Sequence, residues 1–547
     1  MKKVISIILS LVLCFSALAG CSGGESSAAP AAGSQSEATS AQTVFKGETP
    51  TGGLTKFSTQ VEIQVPVYDR SITGLPPVDD NYWTKWIQKE FGDKYNVKVT
   101  YVAIPRKDEV TKMNMLISAN DAPSIIFHYD YPQAVAYADQ GALAEIDMDA
   151  FQKTAPTYYK NMKDSGILKY CKLNGKNMFV MGTRPVSYNW VTLIRQDWID
   201  KVNMKMPTNY TEYKKLLDAW KKAGLCKYPL GNSLPTSGYV TNQLFRPWPT
   251  DEKDIALYAD LTVASLPWDA TYKQLKRWNS EYNAGYYSKE YYLDKDGTQQ
   301  KTDFINGKIG VYGNYLTSDS DYIKGLMKNF PDAKLSVLPP EATLEDGQKP
   351  ISRAYWPFGL ILGFSSQNSA DENKATMMLL EWMSQKDNLF TLQNGIEGKT
   401  YKLNSDDIPV PIDCKGDEQM NYNSNSDMYC LVTTGKEYGS EEKNVKGQIA
   451  MYAPKGFEYL IEDSYKYFKK TEPYQQTDYL FSKSIPSVAE YKATLLSKWQ
   501  KDTVILTTCK PSEFDSKYKH LCKEYLDAGY QKILDERKAA YEADQKK

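Results

Sequence analysis

Val61-Glu-Ile-Gln-Val-Pro-Val67 places an apolar side chain at every second position, the period of a half-buried strand, and Pro66 pushes the end of that strand toward a loop. The apolar residues then change step. Trp83, Trp86, Ile87 and Phe91 recur at helical spacing behind Asp80, a residue suited to a helix N-cap, until Gly92 and Asn96 stop the run. Val97, Val99 and Tyr101 return to alternation. Val110, Met113, Leu116 and Ile117 mark a second helix, and Ser124-Ile-Ile-Phe127 is a short buried strand. Strand, helix, strand, helix, strand is the order that winds a parallel sheet with helices on its faces, so an α/β fold is expected.

Further along, Leu173-Asn-Gly-Lys176 carries the Asn-Gly pair of a tight hairpin ahead of Met178-Phe-Val-Met181. The strand-and-helix order then starts again near residue 186. Val191 to Ile194 reads as strand and Arg195 to Val202 as helix. Asn209, with Glu212 three residues on, opens a helix whose Tyr213, Leu216, Leu217 and Trp220 share one face before Gly224. Ser369 with Glu372 and Ser487 with Glu490 are further capping pairs. Near the C-terminus, Phe514, Tyr518, Leu521, Cys522, Tyr525 and Leu526 form one stripe that Ile533 and Leu534 continue past Gly529. No repeat of fixed period occurs.

The 547 residues, 41% hydrophobic and 24% charged, are enough for at least two cores. Sixty-six basic against 67 acidic side chains leave a net charge of -1, which supplies no field for nucleic acid. A mean hydropathy of -0.54 excludes a multi-spanning membrane protein. With only 2 histidines, a His-built metal site or triad has little material. No P-loop, G-x-S-x-G or H-E-x-x-H occurs, so no cofactor is expected. Asp294-Lys-Asp-Gly297 looks in part like a calcium loop but lacks its third ligand and terminal Glu, which leaves an Asp-Gly turn.

Met1-Lys-Lys3 before the apolar run Val4 to Leu18 has the form of a secretory signal, residues 1–20. It ends in Leu18-Ala-Gly-Cys21, which resembles the bacterial lipobox, so Cys21 is expected to carry an acyl anchor of the palmitate type. Residues 21–56 are rich in Ser, Ala, Gly and Thr, the composition of a flexible tether. Beyond it stand Cys171, Cys226, Cys414, Cys430, Cys509 and Cys522, in which nearness favours the pairs 414–430 and 509–522 if disulfides form.

Several motifs carry a family resemblance. Leu193-Ile-Arg-Gln-Asp-Trp-Ile199 with Met206-Pro-Thr-Asn-Tyr-Thr-Glu-Tyr213, Asn306-Gly-Lys-Ile-Gly-Val-Tyr-Gly-Asn-Tyr315, Gln393-Asn-Gly-Ile-Glu-Gly-Lys-Thr-Tyr401 and the tail from Pro511 to Tyr541 follow one another in a characteristic order. In them the chain resembles the extracellular solute-binding proteins (family 1-like, carbohydrate branch), lipoprotein receptor subunits of ATP-driven importers in Gram-positive bacteria. The resemblance covers nearly everything after residue 57. The cysteine count is higher than the family's habit.

The resemblance implies a two-lobe fold of the periplasmic-binding-protein type, with discontinuous domains and a ligand cleft between them. Residues 57–185 with about 357–435 would form the first lobe, and 186–356 with about 436–547 the second. It also implies a monomer on the extracellular face of the cytoplasmic membrane, which hands an oligosaccharide to permease subunits.

Sugars present flat C–H faces and rims of hydroxyls, so their sites need aromatic platforms and planar polar groups. Loops at strand ends supply Tyr188 and Trp190, Arg246 and Trp248, Asn314 and Tyr315, and Arg353, Tyr355 and Trp356, with Tyr129, Asp130 and Glu397 as further candidates. Trp83, Trp86, Trp220, Trp382 and Trp499 sit on helical stripes and read as core. The chain has eight arginines, and Arg184, Arg195, Arg246 and Arg353 adjoin the aromatic segments. A guanidinium fork suits a uronate carboxylate, as in pectin-type or glucuronoxylan fragments, although internal ion pairs are the blander use.

The alternatives are a surface-anchored glycoside hydrolase or lyase, with Asp130 and Glu397 as acid and base, and a peptide- or lipid-binding receptor on the same scaffold. For the anchor, Cys21→Ser is expected to release the protein into the medium or leave an uncleaved precursor, checked by fractionating cells and blotting; attachment that persists without lipid defeats the lipobox reading.

Overall fold

The computed structural model describes residues 53–72, 74–185, 190–234, 250–259, 263–315, 320–420 and 427–546. The signal, Cys21 and the tether to residue 52 lie outside them, as do Tyr188, Arg246 and Trp248. Strand β1 (Val61–Asp69) pairs in parallel with β2 (Val97–Pro105), Val61 opposite Val97 and Asp69 opposite Pro105. The strand runs straight through Pro66 instead of fading there. It is laddered along one side only, so the missing N–H of proline can face away from its partner. The helix between them begins at Tyr82, capped by Asn81 and not by Asp80. Asn81 Oδ1 accepts from the N–H groups of Trp83 and Thr84, and Thr84 Oγ1 accepts from Asn81 N–H. Asp80 is left outside in an exposed pair with Lys85.

Strand β3 (Ile125–His128) departs from the parallel expectation, since it lies antiparallel to the later strand Phe358–Phe364. The Asn-Gly hairpin joins β4 (Lys172–Leu173) to β5 (Lys176–Asn177), with Asn174 and Gly175 both at positive φ, 52° and 81°. Then come β6 (Val180–Thr183), β7 (Trp190–Arg195), β8 (Val311–Tyr315), β9 (Leu335–Val337), β10 (Ser352–Arg353) and β11 (Phe358–Phe364). One sheet has the order β3-β11-β6 and another β8-β7-β9, both antiparallel.

The buried apolar side chains gather around these sheets separately. Ile63, Trp83, Phe127, Met181, Leu362 and Leu431 belong to one core, built from 63–181, 358–392 and 428–432. Trp198, Trp220, Leu275, Trp499 and Tyr525 belong to another, and Leu193, Phe304, Tyr322 and Leu460 to a third beside it. The chain therefore passes from the first core to the others and back, after β6, before β11 and again after residue 432. The three passages lie side by side: Thr183 N–H donates to Val432 O, Thr434 N–H to Thr183 O and Arg184 N–H to Pro357 O. Glycine permits this approach. A Cβ on Gly182 would lie 2.7 Å from the carbonyl oxygen of Cys430, and one on Gly359 would lie 2.1 Å from Thr434 Cγ2.

Of the three expected capping pairs, one forms in both directions and one in a single direction. Ser369 and Glu372 cap each other's backbone. Asn209 caps Glu212, whose carboxylate turns to Thr208 instead. Ser487 does not cap: Pro486 already opens the helix Pro486–Thr508, so Ser487 bonds Glu536 and Glu490 pairs with Lys532. The expected disulfides 414–430 and 509–522 are not formed, which corrects those pairings. Cys430 is buried in the first core, while Cys509 Sγ turns to Leu506 O at the end of its helix. The Asp294–Gly297 turn starts a helix. Asp294 and Asp296 accept from the N–H groups of Gln300 and Thr298, and no metal-holding cluster occurs among the described residues.

Gly182→Ala is expected to destabilise the protein by about 1 to 3 kcal/mol, the usual penalty for forcing a carbon into a packed backbone. Chemical unfolding of variant and parent measures it.

Candidate ligand-binding cavity

The three passages between the cores end in polar and aromatic residues, and these face a cavity of about 810 Å³. That is the size of a small-molecule or oligosaccharide site. Arg184 comes from the first passage, Arg353, Tyr355 and Trp356 from the second, and Thr434, Gly435 and Lys436 from the third. The helix Tyr131–Asp139 of the first core and the helix Pro486–Thr508 of the second supply facing walls, and the segment from Asp478 to Ser484 joins them.

The aromatic rings are held by cations. Tyr355 lies between two guanidiniums, with Arg184 4.4 Å and Arg353 5.9 Å from its centroid. Arg353 is itself fixed, because its Nε and Nη2 grip both carboxylate oxygens of Asp478, with Nε 2.7 Å from Oδ1. Parallel pairing of Ser352–Arg353 with Gln475–Gln476 sets the register of that grip. Trp356 stacks on buried Phe358 at an interplanar angle of 4° and meets Tyr170 edge-on. Tyr129 stacks on Tyr68 at 5.8 Å under the guanidinium of Arg106, which pairs with Glu109. Burial works to raise the Glu109 carboxyl, yet His128 and Arg106 beside it hold it below the usual carboxylate range. Asp130 follows, its N–H donating to His128 Nδ1 at 2.9 Å.

Charge is unevenly shared. Eight cationic side chains line the cavity, Arg70, Arg106, Arg184, Arg353, Lys436, Lys483, Lys492 and Arg537, against three carboxylates, Asp130, Asp139 and Asp478. Ten aromatic rings line it as well, among them Tyr429, Tyr438, Tyr452 and Tyr479. Burial raises the Asp139 carboxyl, an effect that the Ser484 hydroxyl partly offsets. It lowers the Lys492 ammonium and pushes that of Lys436 down to about 7.

Of the candidates read from sequence, Tyr129, Asp130, Arg353, Tyr355 and Trp356 thus meet in one cavity. Trp190 stands opposite Tyr315, and Asn314 opposite Val191, in the ladder of β7 with β8. Glu397 stands exposed in a turn by Tyr401 and does not line the cavity, so it cannot act with Asp130 across it. Arg195 is buried in a bidentate pair with Asp197, the blander use of an arginine. Sequence reasoning passed over Arg106, Lys436, Asp478, Lys492 and Arg537. Scarcity was the usable signal, because five of the eight arginines line this one cavity.

The family model of the bacterial extracellular solute-binding proteins matches residues 86–394, more than half of the chain. The chain belongs to this family. Among curated proteins it is 24% identical over 347 residues to lipoprotein LipO of Bacillus subtilis (strain 168), a match spanning 60% of this chain and 65% of LipO, less than two thirds of that relative. Its fold is similar to that of the alginate-binding protein AlgQ2, at TM-score 0.61 and 15% identity, over 90% of this chain and 100% of the other. It is similar also to the N-glycan transport solute-binding protein NgtS from Streptococcus pneumoniae, at TM-score 0.56 and 16% identity, over 88% and 99%. The two-lobe α/β fold of these solute-binding proteins, with its cleft between lobes, is the fold seen here. The family is one of solute-binding proteins and not of catalysts, which speaks against the hydrolase or lyase alternative.

The lowered ammonium of Lys436 has a consequence for stability. Between about 7 and 10.5 the unfolded chain binds a proton that the native chain does not, so this group's contribution makes stability rise with pH through that window, and its full penalty stands below it. Lys436→Met removes that contribution. The melting temperature of the variant relative to the parent is expected to be most favourable below pH 7 and to decline steadily toward pH 9, read by differential scanning fluorimetry; a difference that does not vary with pH refutes the assignment.

Proposed function

We propose that this protein is a lipid-anchored receptor that captures an oligosaccharide containing uronic acid, of the kind released from plant polysaccharides, and delivers it to the permease subunits of an ABC importer. The observation that carries the reading is the cavity's lining, in which aromatic platforms for sugar faces are combined with eight cations against three carboxylates. The alginate-binding and N-glycan-transport names of two fold relatives support the sugar class.

In this reading the lobes are 57–185 with about 357–435 and 186–356 with about 436–547, a division supported by the separate cores. Cys21 carries the anchor, residues 21–56 are the leash and the folded body is a monomer. Tyr129, Tyr355 and Trp356 are the platforms; Asp130 accepts hydroxyls, and Tyr188, Trp190, Arg246, Trp248, Asn314 and Tyr315 are the further candidates. A ligand that touches both lobes binds their closed arrangement better and shifts the population toward it.

A thermal-shift screen of plant oligosaccharides is expected to find a ligand that adds about 2.7 kcal/mol of stability at about a hundred times its dissociation constant. The same sugar is expected to shrink the radius of gyration in solution scattering, to be recovered intact, and to lose about 1 to 3 kcal/mol of binding in Trp356→Ala. Recovery of cleaved sugar, or a screen in which peptides stabilise and sugars do not, overturns the reading.

A further inference from the structure

The cations of the cavity differ in what they already hold. Arg353 is locked on Asp478 and Arg106 on Glu109, each by an ion pair within the protein. Lys436 and Lys492 are held otherwise. Lys436 Nζ donates to the amide oxygen of Asn394 at 3.2 Å, and Lys492 Nζ to that of Gln133 at 3.2 Å. Burial alone acts on each ammonium, and among the described residues no carboxylate pairs with either.

An ammonium has three donors and prefers water or an anion around it, so two half-buried ammoniums resting on neutral amides in a single cavity are under-satisfied. They also stand on different parts of the wall. Lys436 belongs to the third passage between the cores. Lys492 projects from the helix Pro486–Thr508 of the second core, and its bond to Gln133 reaches the helix Tyr131–Asp139 of the first. Resting on the reading of this cavity as a sugar site, we infer that Lys436 and Lys492 are the two positions at which it recognises ligand carboxylates, so the oligosaccharide it takes carries uronate on at least two of its sugars. The arginines gripped by Asp478 and Glu109 instead position the rings. A ligand carboxylate would give each lysine a charge-assisted bond in a partly dried site, where such a bond is strong.

Calorimetric titration of the full folded body with trigalacturonate, with an alginate trimer and with neutral α-1,4-galactotriose tests this. The parent is expected to bind one of the acidic trimers and to bind the neutral one far more weakly. Lys436→Met and Lys492→Met should each weaken acidic binding on the order of thirtyfold or more, the factor for removing one partner of a desolvated charge pair, while scarcely changing any neutral binding. Below pH 7 the free variants should melt no lower than the parent, since each loses an uncompensated cation; Lys436→Gln and Lys492→Gln replace any Met variant that fails to fold. Acidic binding that survives both substitutions overturns the inference and leaves the receptor reading standing. Equal binding of neutral and acidic trimers overturns the two-carboxylate inference in the same way. A parent that binds neither these trimers nor any oligosaccharide of the screen overturns both.

Discussion

Three backbone hydrogen bonds, from Thr183 to Val432, from Thr434 to Thr183 and from Arg184 to Pro357, hold the passages between the cores as one narrow band. Much of the rest of the molecule depends on that band. It tolerates no side chain at Gly182 and little at Gly359, because backbone and Thr434 occupy the space. Its residues must also absorb any rotation of one lobe against the other, since connecting segments of this kind are where hinge motion is taken up by φ and ψ. Other contacts also join the two sides around the cavity: the Asn174 N–H to Ser482 O, Lys492 to Gln133, and the Asp139 carboxyl to the Ser484 hydroxyl. Arg184, Arg353 to Trp356 and Lys436 all stand on this band and line the cavity, so under the proposed function a bound sugar would touch the segments that cross between the cores.

Electrostatics explains how a cavity so rich in cations is compatible with a folded protein. The chain as a whole is nearly neutral, so the cavity's excess of cations is a local field and not a property of the protein surface at large. Buried like charges repel and lose hydration, which is why the two cations that fix the frame, Arg106 and Arg353, are each compensated by a carboxylate at contact. The same logic leaves Lys436 and Lys492 as the uncompensated part of the field, half-buried and held by amides. Low dielectric raises the worth of any anion that reaches them.

Much of the fold is legible in the sequence. Alternation at 61–67 and 97–101, helical spacing at 83–91 and the Asn-Gly hairpin needed only local chemistry, and the structure has those elements. Where reading failed, the deciding partner was distant in sequence. Pro66 stays inside its strand because β1 is laddered on one side only, and whether a strand has one neighbour or two is a tertiary fact. Ser487 lost its capping role to Pro486 and to Glu536, forty-nine residues away. The antiparallel course of β3 is set by Phe358–Phe364, which no local pattern around residue 125 announces. For the cavity, arginines were few enough to stand out, whereas Lys436 and Lys492 sit among many lysines of ordinary appearance. Asp478 carries no local signal; it matters because the pairing at Gln475–Gln476 brings it to Arg353.

The choice of amide oxygens as resting partners bears on specificity. A neutral sugar hydroxyl that displaced Asn394 from Lys436, or Gln133 from Lys492, would exchange one uncharged acceptor for another, and the ammonium would gain little. A carboxylate makes a different exchange, because it brings a full charge to a group that the protein has left uncompensated. Specificity is the difference between those two exchanges, and it would vanish if an Asp or Glu of the chain already occupied either position. A carboxylate there would also repel the ligand and stabilise the empty receptor. Under the proposed function, leaving the lysines on amides would make a charged ligand, and not a neutral one, the partner that completes the site.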